Sequence, residues 1–136
     1  MATLHKEISV DATPEDVWDA VRDIGALHTR LVPGFVVDTR LEPGARIVTF
    51  GNGLVLREPI VSLDDGRRRL AWGATGGATT HYNAVLQVSA DGPRTRVAWT
   101  IDLLPDDKAS AVEAMQNQGL AVMKKTLEQV AGSLPG

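Results

Sequence analysis

The stretch Arg46-Ile47-Val48-Thr49-Phe50-Gly51-Asn52-Gly53-Leu54-Val55-Leu56-Arg57-Glu58 decides the fold. At its centre stands Gly51-Asn52-Gly53, a hairpin signal because Gly and Asn accept the positive φ of tight turns. A chain folded back about Asn52 sets residue 46 across from 58, 48 from 56 and 50 from 54. Side chains alternate along a strand, so Arg46, Val48, Phe50, Leu54, Leu56, Glu58 and Ile60 share one face. That face is mostly apolar, with one charged pair set into it. Charge on a core-facing surface is costly unless the partners satisfy each other or meet a ligand. The sheet is therefore expected to line a cavity rather than a dry core.

Turn signals flank this hairpin on both sides: Glu42-Pro43-Gly44, Asp64-Asp65-Gly66, Gly76-Gly77 and Asp91-Gly92-Pro93. They divide the middle of the chain into six predicted strands, 35–41, 45–51, 54–63, 68–75, 80–90 and 95–104. Such short connections require antiparallel pairing, because a parallel crossover needs a dozen or more residues. Upstream, Leu4 to Val10 reads as a further strand. Thr13 as N-cap, Pro14 at the first helical position, and Glu15 and Asp16 behind it then start a helix. Val17, Trp18, Val21 and Ile24 follow at helical spacing, and the helix is expected to stop near Gly25. Ala26 to Leu31 reads as a short second helix, ended by Pro33-Gly34.

Downstream, Pro105-Asp106-Asp107 ends the last strand and opens a long helix to about Ala131. Val112, Met115, Gly119, Val122, Met123, Leu127 and Val130 form its apolar stripe, and Leu134-Pro135-Gly136 is expected to fray. The order predicts an α+β domain, a seven-stranded antiparallel sheet with the long helix on one face and the first strand beside the last.

Composition narrows the function. The 136 residues suffice for one domain with a real core and fall short of two. A formal charge of -3 gives no case for nucleic acid, which calls for a basic surface. The chain has no Cys, which excludes disulfides, thiolate catalysis and thiolate metal sites. Its start, MATLHKEISV, lacks a signal-peptide apolar run, and no segment approaches the ~20 apolar residues of a membrane span. A soluble cytoplasmic protein is the expectation. No HxxxH or similar spacing points to a metal, and no cofactor is expected.

Several motifs together resemble the SRPBCC superfamily. They are Val10-Asp11-Ala12-Thr13-Pro14-Glu15-Asp16-Val17-Trp18, Gly44-Ala45-Arg46, and Glu58 six residues beyond Asn52. Asp64-Asp65, Arg69-Leu70-Ala71-Trp72, Tyr82 and Thr95-Arg96-Val97-Ala98-Trp99 add to these. The superfamily includes START-type lipid carriers, the Bet v 1 birch pollen allergen group, plant abscisic acid receptors and bacterial polyketide cyclases. The likeness spans almost the whole chain. It implies a helix-grip fold, whose curved sheet wraps the C-terminal helix around an elongated apolar cavity. In the hormone receptors, the positions equivalent to Glu58, Trp72 and Tyr82 face that cavity. Helix positions matching Met115, Gly119 and Met123 do the same. Those receptors also anchor a carboxylate through a lysine on the strand that here reads Phe35-Val36-Val37-Asp38. The lysine is missing, which argues against the same ligand class.

The residues themselves leave alternatives open. Arg46 and Glu58 either orient a polar group of a ligand or form a structural cross-strand ion pair. Arg46 is expected to lower the pKa of Glu58, which disfavours Glu58 as a proton-transfer group. Tyr82 shares its face with Ala84, Leu86 and Val88, so its hydroxyl is expected in the cavity, where a ligand oxygen or a water serves as partner. Trp99 goes with Val97, Ile101 and Leu103 as a core or cavity wall. His28, near the cavity mouth, and His81, alternating away from Tyr82, are both expected to be solvent-exposed; His5 carries no signal. Gly119 costs on the order of 1 kcal/mol against Ala in mid-helix, so it is expected to make room for something between Met115 and Met123.

The expected ligand-binding set is Arg46, Phe50, Leu56, Glu58, Trp72, Tyr82, Trp99, Met115, Gly119 and Met123, holding a small hydrophobic or aromatic molecule. No catalytic residue is assigned. A polyketide cyclase or aromatase acting on a poly-ketone in the same cavity is the enzyme alternative. A third is an interaction module that forms a homodimer through a sheet edge.

Overall fold

The computed structural model describes residues 1–133, so the Leu134-Pro135-Gly136 end lies outside the described residues. Seven strands form one antiparallel sheet: β1 (Ala2–Val10), β2 (Val36–Glu42), β3 (Ala45–Phe50), β4 (Val55–Asp64), β5 (Arg69–Gly73), β6 (His81–Asp91) and β7 (Arg94–Leu104). Their order across the sheet is β1-β7-β6-β5-β4-β3-β2, which puts the first strand beside the last. Helix α1 (Pro14–Arg22) follows β1, and the long helix α2 (Ala109–Ser133) closes the chain. This is the helix-grip arrangement.

The decisive hairpin has the register its sequence predicts: Arg46 pairs with Glu58 and Val48 with Leu56. Gly53 supplies the positive φ, at 91°. Gly51 is required for another reason. A Cβ there would lie 2.5 Å from the carbonyl oxygen of Gly34, whose strand entry packs against the turn.

Two β-bulges interrupt the alternation, one between Val36 and Asp38 in β2 and one between Ile60 and Ser62 in β4. The extra residues, Val37 and Val61, are turned out to solvent despite being apolar. A bulge bends its strand and increases the local twist.

Helix α1 begins as its sequence requires, with the amide of Asp16 donating to Thr13 Oγ1 at 3.2 Å and Pro14 in first position. Its inner face buries Val17, Trp18, Ala20 and Val21. The outer corner is tied to the β4–β5 hairpin by Asp65, which accepts from Trp18 Nε1 at 2.9 Å and Arg22 Nε at 2.7 Å.

The expected short helix at 26–31 is a 3₁₀ turn, Ile24–Ala26, followed by a single π turn, Leu27–Leu31. The amide of Val32 donates to the carbonyl of Leu27 at 2.9 Å, closing the wide turn. A second correction concerns α2. Its buried positions are Gln116, Gly119, Leu120, Met123 and Leu127. Val112, Met115 and Val122 are half-buried, and Val130 is 51% exposed. The burial centre is rotated from the apolar stripe because a polar residue, Gln116, occupies the most covered position.

Replacing Thr13 by Ala removes the α1 cap and is expected to lower stability by about 1 kcal/mol. Urea unfolding checks this, and an unchanged midpoint would mean that the cap contributes nothing.

Candidate functional site

Between the concave face of the sheet and α2 lies a cavity of about 200 Å³. It is bordered by Arg46 and Glu58 on the β3–β4 hairpin, Trp72 on β5, Tyr82 on β6 and Trp99 on β7. Phe50, Leu54 and Leu56 extend the wall along the hairpin, while Val112, Met115, Gln116 and Met123 cover it from α2. The π turn contributes Leu27 and Leu31, and the β5–β6 loop contributes Ala74 and Gly77 to Thr79.

Arg46 and Glu58 are 3% and 5% exposed, and Arg46 Nε donates to Glu58 Oε1 at 2.8 Å. Arg46 has two further contacts. Its Nη1 lies 3.4 Å from the carbonyl oxygen of Ile24, and its guanidinium stands 5.4 Å from the Trp72 ring centroid, a cation–π distance.

The expectation that Arg46 holds the Glu58 pKa down is overturned. Burial raises the Glu58 carboxyl above its ordinary value, outweighing the opposing charge and hydrogen bond of Arg46. The contact explains the balance: a single guanidinium N–H meets a single carboxylate oxygen, whereas a bidentate fork would compensate more. Tyr82 is also pushed well up, first by burial and then by the Glu58 charge, so its hydroxyl stays protonated.

Nine of the ten expected residues border the cavity: Arg46, Phe50, Leu56, Glu58, Trp72, Tyr82, Trp99, Met115 and Met123. Gly119 does not. A Cβ there would lie 3.2 Å from Phe35 Cε2 and 3.3 Å from Trp99 Cζ3, so the space it leaves is filled by two aromatic rings of the protein itself. His81 is exposed. His28 is not fully exposed as expected; it is half-buried in the π turn, with Nδ1 buried and unpartnered.

Three kinds of wall residue escaped the sequence reading. Phe35, expected only as a strand start, meets Phe50 edge-to-face with centroids 5.4 Å apart. Leu27 and Leu31 depend on a π turn that no spacing rule anticipates. Gln116 was legible, since it lies four and seven residues before the apolar Leu120 and Met123 and so belongs to their face. Its Nε2 donates to the Trp99 carbonyl at 2.9 Å.

A family model described as polyketide cyclase / dehydrase and lipid transport matches residues 1–129. The chain belongs to this family. Its membership also places it in the SRPBCC superfamily. No curated protein matches the sequence. Among solved structures, a START superfamily protein from Mycobacterium smegmatis is 16% identical with a TM-score of 0.72, the match covering 98% of this chain and 99% of that one. Norcoclaurine synthase from Thalictrum flavum, solved with dopamine and hydroxybenzaldehyde, is 19% identical with a TM-score of 0.73, over 99% and 88% of the two chains. The di-domain ARO/CYC BexL from the BE-7585A biosynthetic pathway is 19% identical with a TM-score of 0.81, over 96% of this chain and 47% of that one. At such identities the likeness is one of fold. Among the described residues, no helix is long and apolar enough to cross a membrane.

The Glu58 shift has a measurable consequence. Folding raises its pKa above the unfolded value of about 4.3, so the native state binds more protons in the window that begins there. The contribution of Glu58 is complete below that pH and is lost as pH rises through the folded value. The stability difference between the wild type and Glu58→Gln is therefore expected to move in favour of the variant as pH rises from about 4. Urea midpoints across that range check it; movement in favour of the wild type would mean that the Arg46 charge outweighs burial.

Proposed function

We propose that this protein binds a small aromatic molecule in the cavity between sheet and α2, as a carrier or sensor. The observation that carries the reading is a largely apolar chamber left open around a buried ion pair and a buried Tyr hydroxyl. A domain built only for packing would gain by filling such a space, since each missing contact costs stability.

Size decides the kind of ligand. An apolar cavity of about 150 Å³ holds benzene, and drug-sized ligands occupy roughly 300–1,000 Å³. At about 200 Å³ this cavity suits one or two rings. Burying a ring system of Phe-to-Trp size removes about 150–250 Å² from water, worth roughly 4–6 kcal/mol before the costs of association. Apolar burial alone thus gives affinities near the millimolar range, and polar contacts must supply the rest. Arg46, Glu58 and Tyr82 are the charged and hydroxylic groups placed to do so.

The second reading, a polyketide cyclase-like enzyme, is favoured by the family description and by a Glu58 carboxyl whose pKa burial raises, beside Tyr82. It requires a chamber large enough to fold a poly-ketone chain, and the volume supports the smaller ligand.

A thermal-shift screen of one- and two-ring aromatics tests the proposal. At a hundredfold excess over Kd, binding adds about 2.7 kcal/mol, on the order of 10 °C for a domain of this size. Leu56→Trp, which fills the chamber from β4, is expected to abolish the shift. No shift with any compound in the wild type would overturn the reading.

A further inference from the structure

The chamber between sheet and α2 opens where its wall residues are also exposed to solvent. Gly77 and Ala78 of the β5–β6 loop and Ala111 near the start of α2 both border the cavity and are exposed. The mouth therefore lies between that loop and the beginning of the helix.

Three charged side chains border the cavity: Arg46, Glu58 and Lys108. Arg46 and Glu58 are almost fully buried and bonded to each other at 2.8 Å, so their charges offset one another. Lys108 is left over, and the wall carries an uncompensated positive charge.

Helical geometry sets where that charge stands. Lys108 ends the 3₁₀ turn Asp106–Lys108, which runs directly into α2. Ala111, Val112 and Met115, three, four and seven places on, all border the cavity, and positions so spaced share a helix face. Lys108 thus belongs to the face that α2 turns to the chamber. Side chains on a helix lean toward its N-terminus, so the Lys108 stem leads away from Val112 and Met115 and out along the rim.

The neighbouring acids do not hold this ammonium. Asp106 pairs with the Met1 amino group at 3.2 Å and Glu113 with Lys6 at 3.0 Å. Asp107 is exposed and does not border the cavity. Among the described residues Lys108 forms no ion pair, and although the residue is half-buried its ammonium is not sealed from water. A lysine is a compact charge on a flexible four-carbon stem, so it can follow a group at the mouth without a fixed geometry.

We infer that the cavity takes an aromatic acid, with its ring among the apolar walls and its carboxylate at the mouth beside Lys108. The inference rests on the ligand-binding reading and adds the charge and orientation of the ligand. A carboxylate at the mouth keeps part of its hydration and gains an opposite charge. The same group turned inward would give up its water next to the Glu58 carboxyl. An amine at the mouth would be repelled, and a single cation matches a singly charged acid. β2 carries no lysine, so the anion is met from the helix and not from the sheet.

The test compares 2-naphthylacetate with 2-naphthylacetamide, which has the same rings and nearly the same shape without the charge, by calorimetry at low ionic strength. The acid is expected to bind about threefold more tightly or better, the scale of a partly exposed ion pair. Added salt is expected to shrink the difference, because a charge at the rim is screened. Lys108→Met is expected to bring the acid-to-amide ratio to about one, and Lys108→Glu to reverse it. Each ratio is measured within one protein and so is insensitive to its stability. If the wild type binds acid and amide equally, or prefers the amide, the inference fails while ligand binding stands. An acid preference that survives in both variants puts the carboxylate elsewhere and also overturns it. If neither probe binds, the ligand-binding reading falls as well.

Discussion

A charged pair sealed into an apolar face is the constraint on which the rest of this structure depends. Removing a guanidinium and a carboxylate from water costs several kcal/mol for each ion, even after relaxation. Arg46 offsets part of its cost with the Ile24 carbonyl and the Trp72 face as well as Glu58. Glu58 has the Arg46 guanidinium as its compensating charge, engaged through one oxygen. The carboxylate is thus the less compensated partner. The pair also ties the hairpin to a single register: a slip by one residue would turn Arg46 or Glu58 to the opposite face and leave the other charge buried alone.

A chamber beside such a pair must be kept from collapsing, and the fold does so with local devices. The bulges at Val37 and Val61 bend the strands around α2. On the other side, the rings of Phe35 and Trp99 abut the bare backbone at Gly119, so α2 rests on aromatic edges. The helix-propensity cost of that glycine, about 1 kcal/mol, is the counterpart of ring placement. Asp65 fixes α1 to the β4–β5 turn through Trp18 and Arg22, steadying the corner from which the π turn departs.

How much of this was legible follows from which interactions are local. The 46–58 register could be read because a Gly-Asn-Gly turn makes partners symmetric about its centre, and the α1 start because its cap and proline are adjacent. The bulges could not, since Val37 and Val61 look like ordinary strand residues and only the long-range pairing shows that each is one too many. The α2 stripe was read from apolar residues, which included Val130 and passed over Gln116; apolarity marks a face only when nothing polar is required there. Gly119 was recognised as making room, but whether a ring of the protein or a ligand takes that room is a matter of three-dimensional distance. The sign of the Glu58 shift likewise turns on a competition between burial and one ion pair, and sequence supplies only the second.

The same balance bears on whether such a site binds or turns over its ligand. Acid–base catalysis works best when neighbouring groups are tuned apart, one held as an acid and the other as a base. Here both titratable groups facing Arg46 move in one direction: burial raises Glu58 and also raises Tyr82, which the Glu58 charge pushes further. A Tyr so shifted is a fixed neutral donor and acceptor. Glu58 is raised by burial against the opposing pull of Arg46, which already engages its Oε1. Polar groups that are neutral, buried and held by packing discriminate strongly between ligands, because a mismatched ligand leaves them unpaired. They contribute little to moving protons. The arrangement thus supports the proposed binding reading over the enzyme alternative.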